Sequence, residues 1–114
     1  MTTTGMNTII YPVKDLAAAK AVYTALFGQP HTDQPYYVGY NVGGQEIGLN
    51  PQGHAQGLTD TTGYWSVADV TVAVRELVDA GATVRQEPHD VGGGAIIATL
   101  SDAEGNTIGL IQKS

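Results

Sequence analysis

The sequence predicts an α+β fold made of two βαβββ modules, and three observations carry that prediction. The first is an internal repeat: Val13, Asp15 and Leu16 return as Val67, Asp69 and Val70 at an offset of 54, and Ile47-Gly48-Leu49 returns as Ile108-Gly109-Leu110 at an offset of 61. The second is that each repeat places one amphipathic helical stretch among short apolar runs of strand type. The third is composition. There are 15 glycines in 114 residues and only 14% charged residues, against averages of about 7% glycine and about 25% charge. Such a balance fits a sheet-rich domain with many tight turns and with surface covered by a partner chain. The length suits one domain, with module 1 at about 6–51, a linker at about 52–61 and module 2 at about 62–113.

Each element follows from local chemistry. Residues 6–13 read as a strand of β-branched and aromatic residues, ending before Asp15. The Asp15 carboxylate can accept from the free amides of a first helical turn. Leu16, Ala19, Val22, Tyr23 and Leu26 then recur at helical spacing, and Gly28 ends the helix. After a polar loop, 36–42 and 46–50 are strands around the hairpin signal Gly43-Gly44. Residues 51–61 show no period. In the second module, 62–68 is a strand and Asp69 caps a helix with Val70, Val74, Leu77 and Val78 on one face. Gly81 closes that helix. Strands follow at 83–87, 95–100 and 107–112, the last after the turn Asp102-Ala103-Glu104-Gly105-Asn106. One helix covers one face of each module's strands, so the other face needs a second module, a partner chain or a ligand.

Charge and composition exclude several functions. Five cations (Lys14, Lys20, Arg75, Arg85, Lys113) against eleven acids give a net charge of −6, with the cations scattered. No basic face is available for phosphates, so neither nucleic acid nor an anionic membrane is an expected partner. The absence of cysteine excludes disulfides, thiolate metal sites and a cysteine nucleophile. No basic stretch followed by an apolar one opens the chain, and no apolar run approaches the length of a membrane span. A soluble cytoplasmic protein is expected.

Taken in order, the stretches Tyr11 to Leu16, Gly43 to Leu49, Asp69 to Val84 and Asp102 to Leu110 resemble the vicinal oxygen chelate superfamily of glyoxalases, extradiol dioxygenases and bleomycin-resistance proteins. The resemblance covers essentially the whole chain. It implies a U-shaped half-barrel whose concave face holds the active site, with the helices outside. It also implies a homodimer, often with modules exchanged between chains. Enzymes of the superfamily bind a divalent metal through His or Glu at four concave-face positions, which here are Thr8, Gly48, Thr62 and Gly109. Two hydroxyls and two glycines cannot supply imidazole or carboxylate donors at about 2.0–2.3 Å. No metal and no cofactor are expected.

Strand alternation then yields a candidate ligand-binding face. Thr8 and Ile10 face inward on the first strand, and Glu46, Gly48 and Asn50 on the strand ending module 1. Thr62, Tyr64 and Ser66 do so in module 2, with Thr107, Gly109 and Ile111 on its last strand. The parity of Tyr36, Tyr37 and Tyr40 is not anchored by the sequence. At least one is expected to line the cavity, and Tyr40 joins the candidate list, with a dimer interface as the alternative. Glu46 is the one candidate general acid or base, set against a solvated hairpin-edge charge. His31, His54 and His89 fall in loops without paired spacing and read as solvated. Gly48 and Gly109 have two readings: room for an organic ligand, or close backbone packing. Gly92-Gly93-Gly94 lacks the helix and lysine of a phosphate loop and reads as a hairpin or pocket rim.

The function expected is therefore a metal-free protein of the bleomycin-resistance type that binds a small organic molecule. The alternative is an enzyme of the same superfamily, either a lyase or isomerase using Glu46, or a metal enzyme of glyoxalase or dioxygenase type. A third possibility is a dimeric module used for protein contacts.

Overall fold

The computed structural model describes residues 2–58 and 60–114; Met1 and Thr59, the latter within the expected linker, lie outside the described residues. The element order is β1 (Thr3–Pro12), α1 (Leu16–Phe27), β2 (Thr32–Gln34), β3 (Tyr37–Val42), β4 (Gln45–Asn50), a short 3-10 turn (His54–Gln56), β5 (Thr62–Val67), α2 (Val70–Asp79), β6 (Thr83–Gly92), β7 (Ala95–Ser101) and β8 (Thr107–Lys113). Two βαβββ modules of α+β class are thus present. The chain divides into two compact units, a first of residues 8–62 and a second of residues 2–7 with 63–114. The division falls inside β1, so the opening residues pack with the second module rather than the first. Thr3 explains this locally: its hydroxyl donates to the Ser66 carbonyl at 2.6 Å.

In the first unit, β1 pairs in parallel with β4, β4 antiparallel with β3, and β3 antiparallel with β2. Val38, Tyr40, Ile47 and Leu49 form the buried core, joined by Ile9, Tyr11, Val13 and, from α1, Leu16, Ala19, Tyr23 and Phe27. The helix is therefore rotated from the expected face. Phe27, not Leu26, completes the half-buried stripe that faces the core, and Val22 and Leu26 are 64% and 69% exposed. Aromatic packing accounts for the choice: Tyr23 lies 4.9 Å from Tyr11 and 5.7 Å from Phe27, and Phe27 lies 5.4 Å from Tyr40 between ring centroids. The expected polar loop after Gly28 contains the short edge strand β2. Its three residues carry no apolar alternation that would announce a strand.

The second unit repeats the plan. β5 pairs in parallel with β8, β8 antiparallel with β7, and β7 antiparallel with β6. Val67, Val70, Ala73, Ala98, Leu100 and Leu110 form its core, with Val74, Leu77 and Ile108 against it, while Val78 is largely exposed. Asp69 caps α2 by accepting from the amides of Thr71 at 3.0 Å and Val72 at 3.1 Å, and the Gln112 side chain accepts from the Val70 amide at 2.9 Å. Asp15 caps α1 through the Ala18 amide alone, at 3.0 Å. In the turn before β8, Asp102 accepts from the Asn106 side chain and from the amides of Asn106 and Glu104, each at 2.9 Å. Those bonds, Asn106 foremost, hold its carboxyl below the ordinary range. Gly92, Gly93 and Gly94 form the β6–β7 turn with positive φ, and β6 runs on to Gly92, beyond its expected end. Among the described residues, no helix is long and apolar enough to cross a membrane.

Candidate functional site

Alternation from the two cores fixes which residues face away from the helices. In the first unit, Ile9, Tyr11, Ile47 and Leu49 face α1, so Thr8, Ile10, Glu46, Gly48 and Asn50 take the opposite face. Register agrees, with Thr8 beside Glu46, Ile10 beside Gly48 and Pro12 beside Asn50. In the second unit, Tyr64 pairs with Gly109 and Ser66 with Ile111, and Thr107 pairs with Ser101, all away from the Leu110 core. Thr8, Thr62, Tyr64 and Ile111 are buried, whereas Ile10, Glu46, Asn50, Ser66 and Thr107 are half-buried.

Tyr40 is the exception. It sits opposite Ile47 in the helix-side core, fully buried, with its hydroxyl 2.9 Å from the Thr24 hydroxyl. The tyrosine on the opposite face is Tyr37. The signal that orients them is Gly43-Gly44, a two-residue hairpin loop with φ of +58° and +88°, as a primed turn requires. It pairs Val42 with Gln45, and counting back puts Tyr40 on Ile47 and Gly39 on Gly48.

Tyr37 builds a polar cluster around Glu46. Its hydroxyl donates to Glu46 Oε2 at 2.8 Å, and His31 Nε2 donates to Glu46 Oε1 at 2.8 Å. The other ring nitrogen, His31 Nδ1, lies 2.7 Å from the Thr32 hydroxyl. With Nε2 donating, a neutral ring accepts that hydroxyl at Nδ1. His31 is the exposed loop residue expected from spacing, yet its ring also engages Glu46, which spacing did not announce. Its amide bonds to the Gly39 carbonyl at 2.9 Å, which extends β2 pairing by one residue and turns the imidazole onto the Glu46 face. Burial, then the hydrogen bond and negative charge of Glu46, push the Tyr37 phenol well above its ordinary value of 10.0. It remains a donor. Each Glu46 oxygen keeps a lone pair for a further donor, since a carboxylate offers about four acceptor sites. The Glu46 side chain is 27% exposed, so those sites are reachable.

The two repeat glycines are explained by tyrosine rings. A Cβ on Gly48 would lie 2.5 Å from Tyr37 Cε1, and one on Gly109 would lie 2.7 Å from both Tyr64 Cδ2 and the Gly63 carbonyl oxygen. Backbone approach applies at Gly109, where the Gly63 carbonyl oxygen stands, whereas Gly48 meets only the Tyr37 ring. The space directly above each glycine is filled from within its own unit. Burial raises the Tyr64 phenol as well.

The same facts test the divalent metal that the resemblance implies. Its four positions carry two hydroxyls and two glycines, and a tyrosine ring stands over each glycine. Among the described residues, no group of three or more His, Asp or Glu is placed to hold a metal ion. These residues do not fit such a metal.

The description "Glyoxalase/Bleomycin resistance protein/Dioxygenase superfamily" belongs to the family model that matches residues 5–110. CFP32 of Mycobacterium tuberculosis, a glyoxylase by name, is 28% identical over 95% of this chain and 45% of its own length. The chain thus spans about half the length of the curated relatives it matches. Among solved structures, an NAD-dependent benzaldehyde dehydrogenase from Legionella pneumophila has a TM-score of 0.76 at 18% identity, covering 95% of this chain and 99% of that one. Methylmalonyl-CoA epimerase from Mycobacterium tuberculosis has a TM-score of 0.70 at 18% identity, covering 99% and 90%. At such identities the likeness concerns the fold. With the family match running through both βαβββ modules, the chain belongs to the glyoxalase/bleomycin resistance protein/dioxygenase superfamily.

Proposed function

We propose that this chain binds a small organic molecule without a divalent metal, and that Glu46, held between His31 and Tyr37, contacts that molecule. The observation that carries this reading is the Glu46 carboxylate itself. It is fixed by two donors at 2.8 Å on the same strand face as Gly48, a position that holds a metal donor in the superfamily's enzymes. A carboxylate so placed recognises a hydroxyl, an amide N–H or a cation of the ligand. Pairing of two copies belongs to the same reading, supported by the low charge and by Val22 and Leu26 exposed one helical turn apart on α1; a cytoplasmic location is proposed with it.

The test is thermal unfolding against a library of aromatic and peptide-derived compounds. A ligand at 100 times its Kd stabilises the native state by about 2.7 kcal/mol, which raises Tm by several degrees. Glu46→Gln should abolish or weaken that shift. Silence across the library would overturn the reading. Stoichiometric divalent metal in protein purified without chelator would overturn its metal-free part.

A second reading is proton transfer, favoured by the contact between His31 and Glu46. Glu46 would take a proton from a carbon beside a carbonyl, leaving the electron pair on the carbonyl oxygen as an enolate. Incorporation of solvent deuterium into such a substrate, lost in Glu46→Gln, would distinguish it from binding alone.

A further inference from the structure

The geometry points to a binding site for the carboxylate of a small organic molecule on the second unit, centred on Arg85. It deepens the small-molecule reading above and rests on it for the existence of a ligand, but it uses different residues.

The site begins with an irregularity in β6. Val84 pairs with Leu100 and Gln86 with Thr99, so two residues of β6 advance against one of β7. Without that bulge, Gln86 would follow Val84 toward the α2 side, where Leu100 is buried. With it, Gln86 joins Thr99 on the opposite face. Bulges re-aim side chains in this way and are enriched beside functional sites. A further shift places His89 opposite Ile97 on that face too.

Arg85, the extra residue of the first bulge, reaches over the sheet. Its Nη1 donates to the Thr107 hydroxyl on β8 at 3.0 Å. That bond spans β7 and fixes the guanidinium against the face carrying Tyr64 and Thr107. Among the described ion pairs, none involves Arg85, although the chain has eleven acids for five cations. The register places neutral hydrogen-bonding groups there: Tyr64, Thr99, Ser101 and Thr107. An anchored guanidinium with most of its five donors uncommitted matches a planar carboxylate in a two-point fork. One cation on a chain of net charge −6 suits a monoanion better than a phosphate dianion.

The experiment is an NMR titration of the full chain with sodium benzoate at constant ionic strength, following the Arg85 Nε–H and Thr107 amide signals. Saturable shifts at both are expected. Arg85→Gln should weaken binding about tenfold or more, since it removes a charge-assisted fork. Arg85→Lys, which keeps charge without the fork, should weaken it about threefold or more. Arg75→Gln, an exposed cation on α2, should leave it unchanged. Arg85 is exposed, so its variants should retain the wild-type Tm. Non-saturating shifts, equal affinity in Arg85→Gln, or a loss of Tm with no loss of binding would overturn the proposal. If library compounds bind in a Glu46-dependent manner while benzoate does not bind, the Arg85 site alone fails. If benzoate binds at Arg85 while Glu46→Gln changes no library compound's shift, the Glu46 contact alone fails.

Discussion

At the scale of single residues, two tyrosines carry most of the consequence. Burial raises the phenols of both Tyr37 and Tyr64, and Glu46 adds to the effect at Tyr37. A raised folded-state value favours the neutral form, so the stability it contributes is complete below pH 10 and is lost as pH climbs beyond that. Phenolate absorbance should therefore show late ionisation from Tyr37 and Tyr64, and Tyr37→Phe should remove one of those late steps. Overlap of both with the ordinary range would contradict the burial described. The glycines make a paired prediction. Gly48→Ala meets only the far end of the Tyr37 side chain, whereas Gly109→Ala meets a backbone oxygen as well as a ring. Denaturant melts should show Gly109→Ala costing more, within the roughly 1–3 kcal/mol of overpacking. Tyr37→Ala should suppress most of the Gly48→Ala cost, a coupling that a double-mutant cycle reads directly. Sequence alone located Glu46 and both glycines, because alternation along β4 and β8 is regular. It misplaced Tyr40 because Tyr37 and Tyr40 lie three apart, so the choice between them rested on hairpin pairing rather than on residue type. His31 carried no pattern at all, since its position depends on a polar three-residue edge strand.

At the scale of elements, the helices show how far periodicity reaches. Both began where a capping aspartate predicted. Their buried faces were less legible, because α1 is rich in alanine and offers Val22, Leu26 and Phe27 as competing apolar anchors. The aromatic stack of Tyr11, Tyr23 and Phe27 decides among them. Capping differs between the helices in a measurable way. Asp69 accepts from two amides and Asp15 from one. Asp69→Ala should cost about 1–2 kcal/mol and Asp15→Ala about 0.5–1 kcal/mol, read from chemical denaturation. Equal costs would mean that the Gln112 bond to the Val70 amide, not the aspartate, governs the start of α2. The bulges in β6 had no announcement in the sequence, since a bulge is a relation between two strands.

At the scale of the whole molecule, the offsets of 54 and 61 held up as structural equivalence. Ile10 pairs with Gly48 as Tyr64 pairs with Gly109, so the two modules repeat in register as well as in order. What the repeat did not disclose was where the compact units divide. If two copies pair, sedimentation velocity should give twice the monomer mass. Charge substitutions at Val22 and Leu26 should shift it toward monomer if α1 forms the contact.

The divided strand β1 also makes the chain hard to take apart. Residues 2–7 cluster with 63–114, and the rest of β1 with the first unit, so the boundary suggested by the repeat is not a clean seam. A fragment of residues 62–114 would lose the strand that neighbours β5 and expose an open hydrogen-bonding edge prone to aggregation. Supplying residues 2–12 as a separate peptide should restore its solubility. In that sense β1 is shared: its opening residues belong to one compact unit and its later residues to the other.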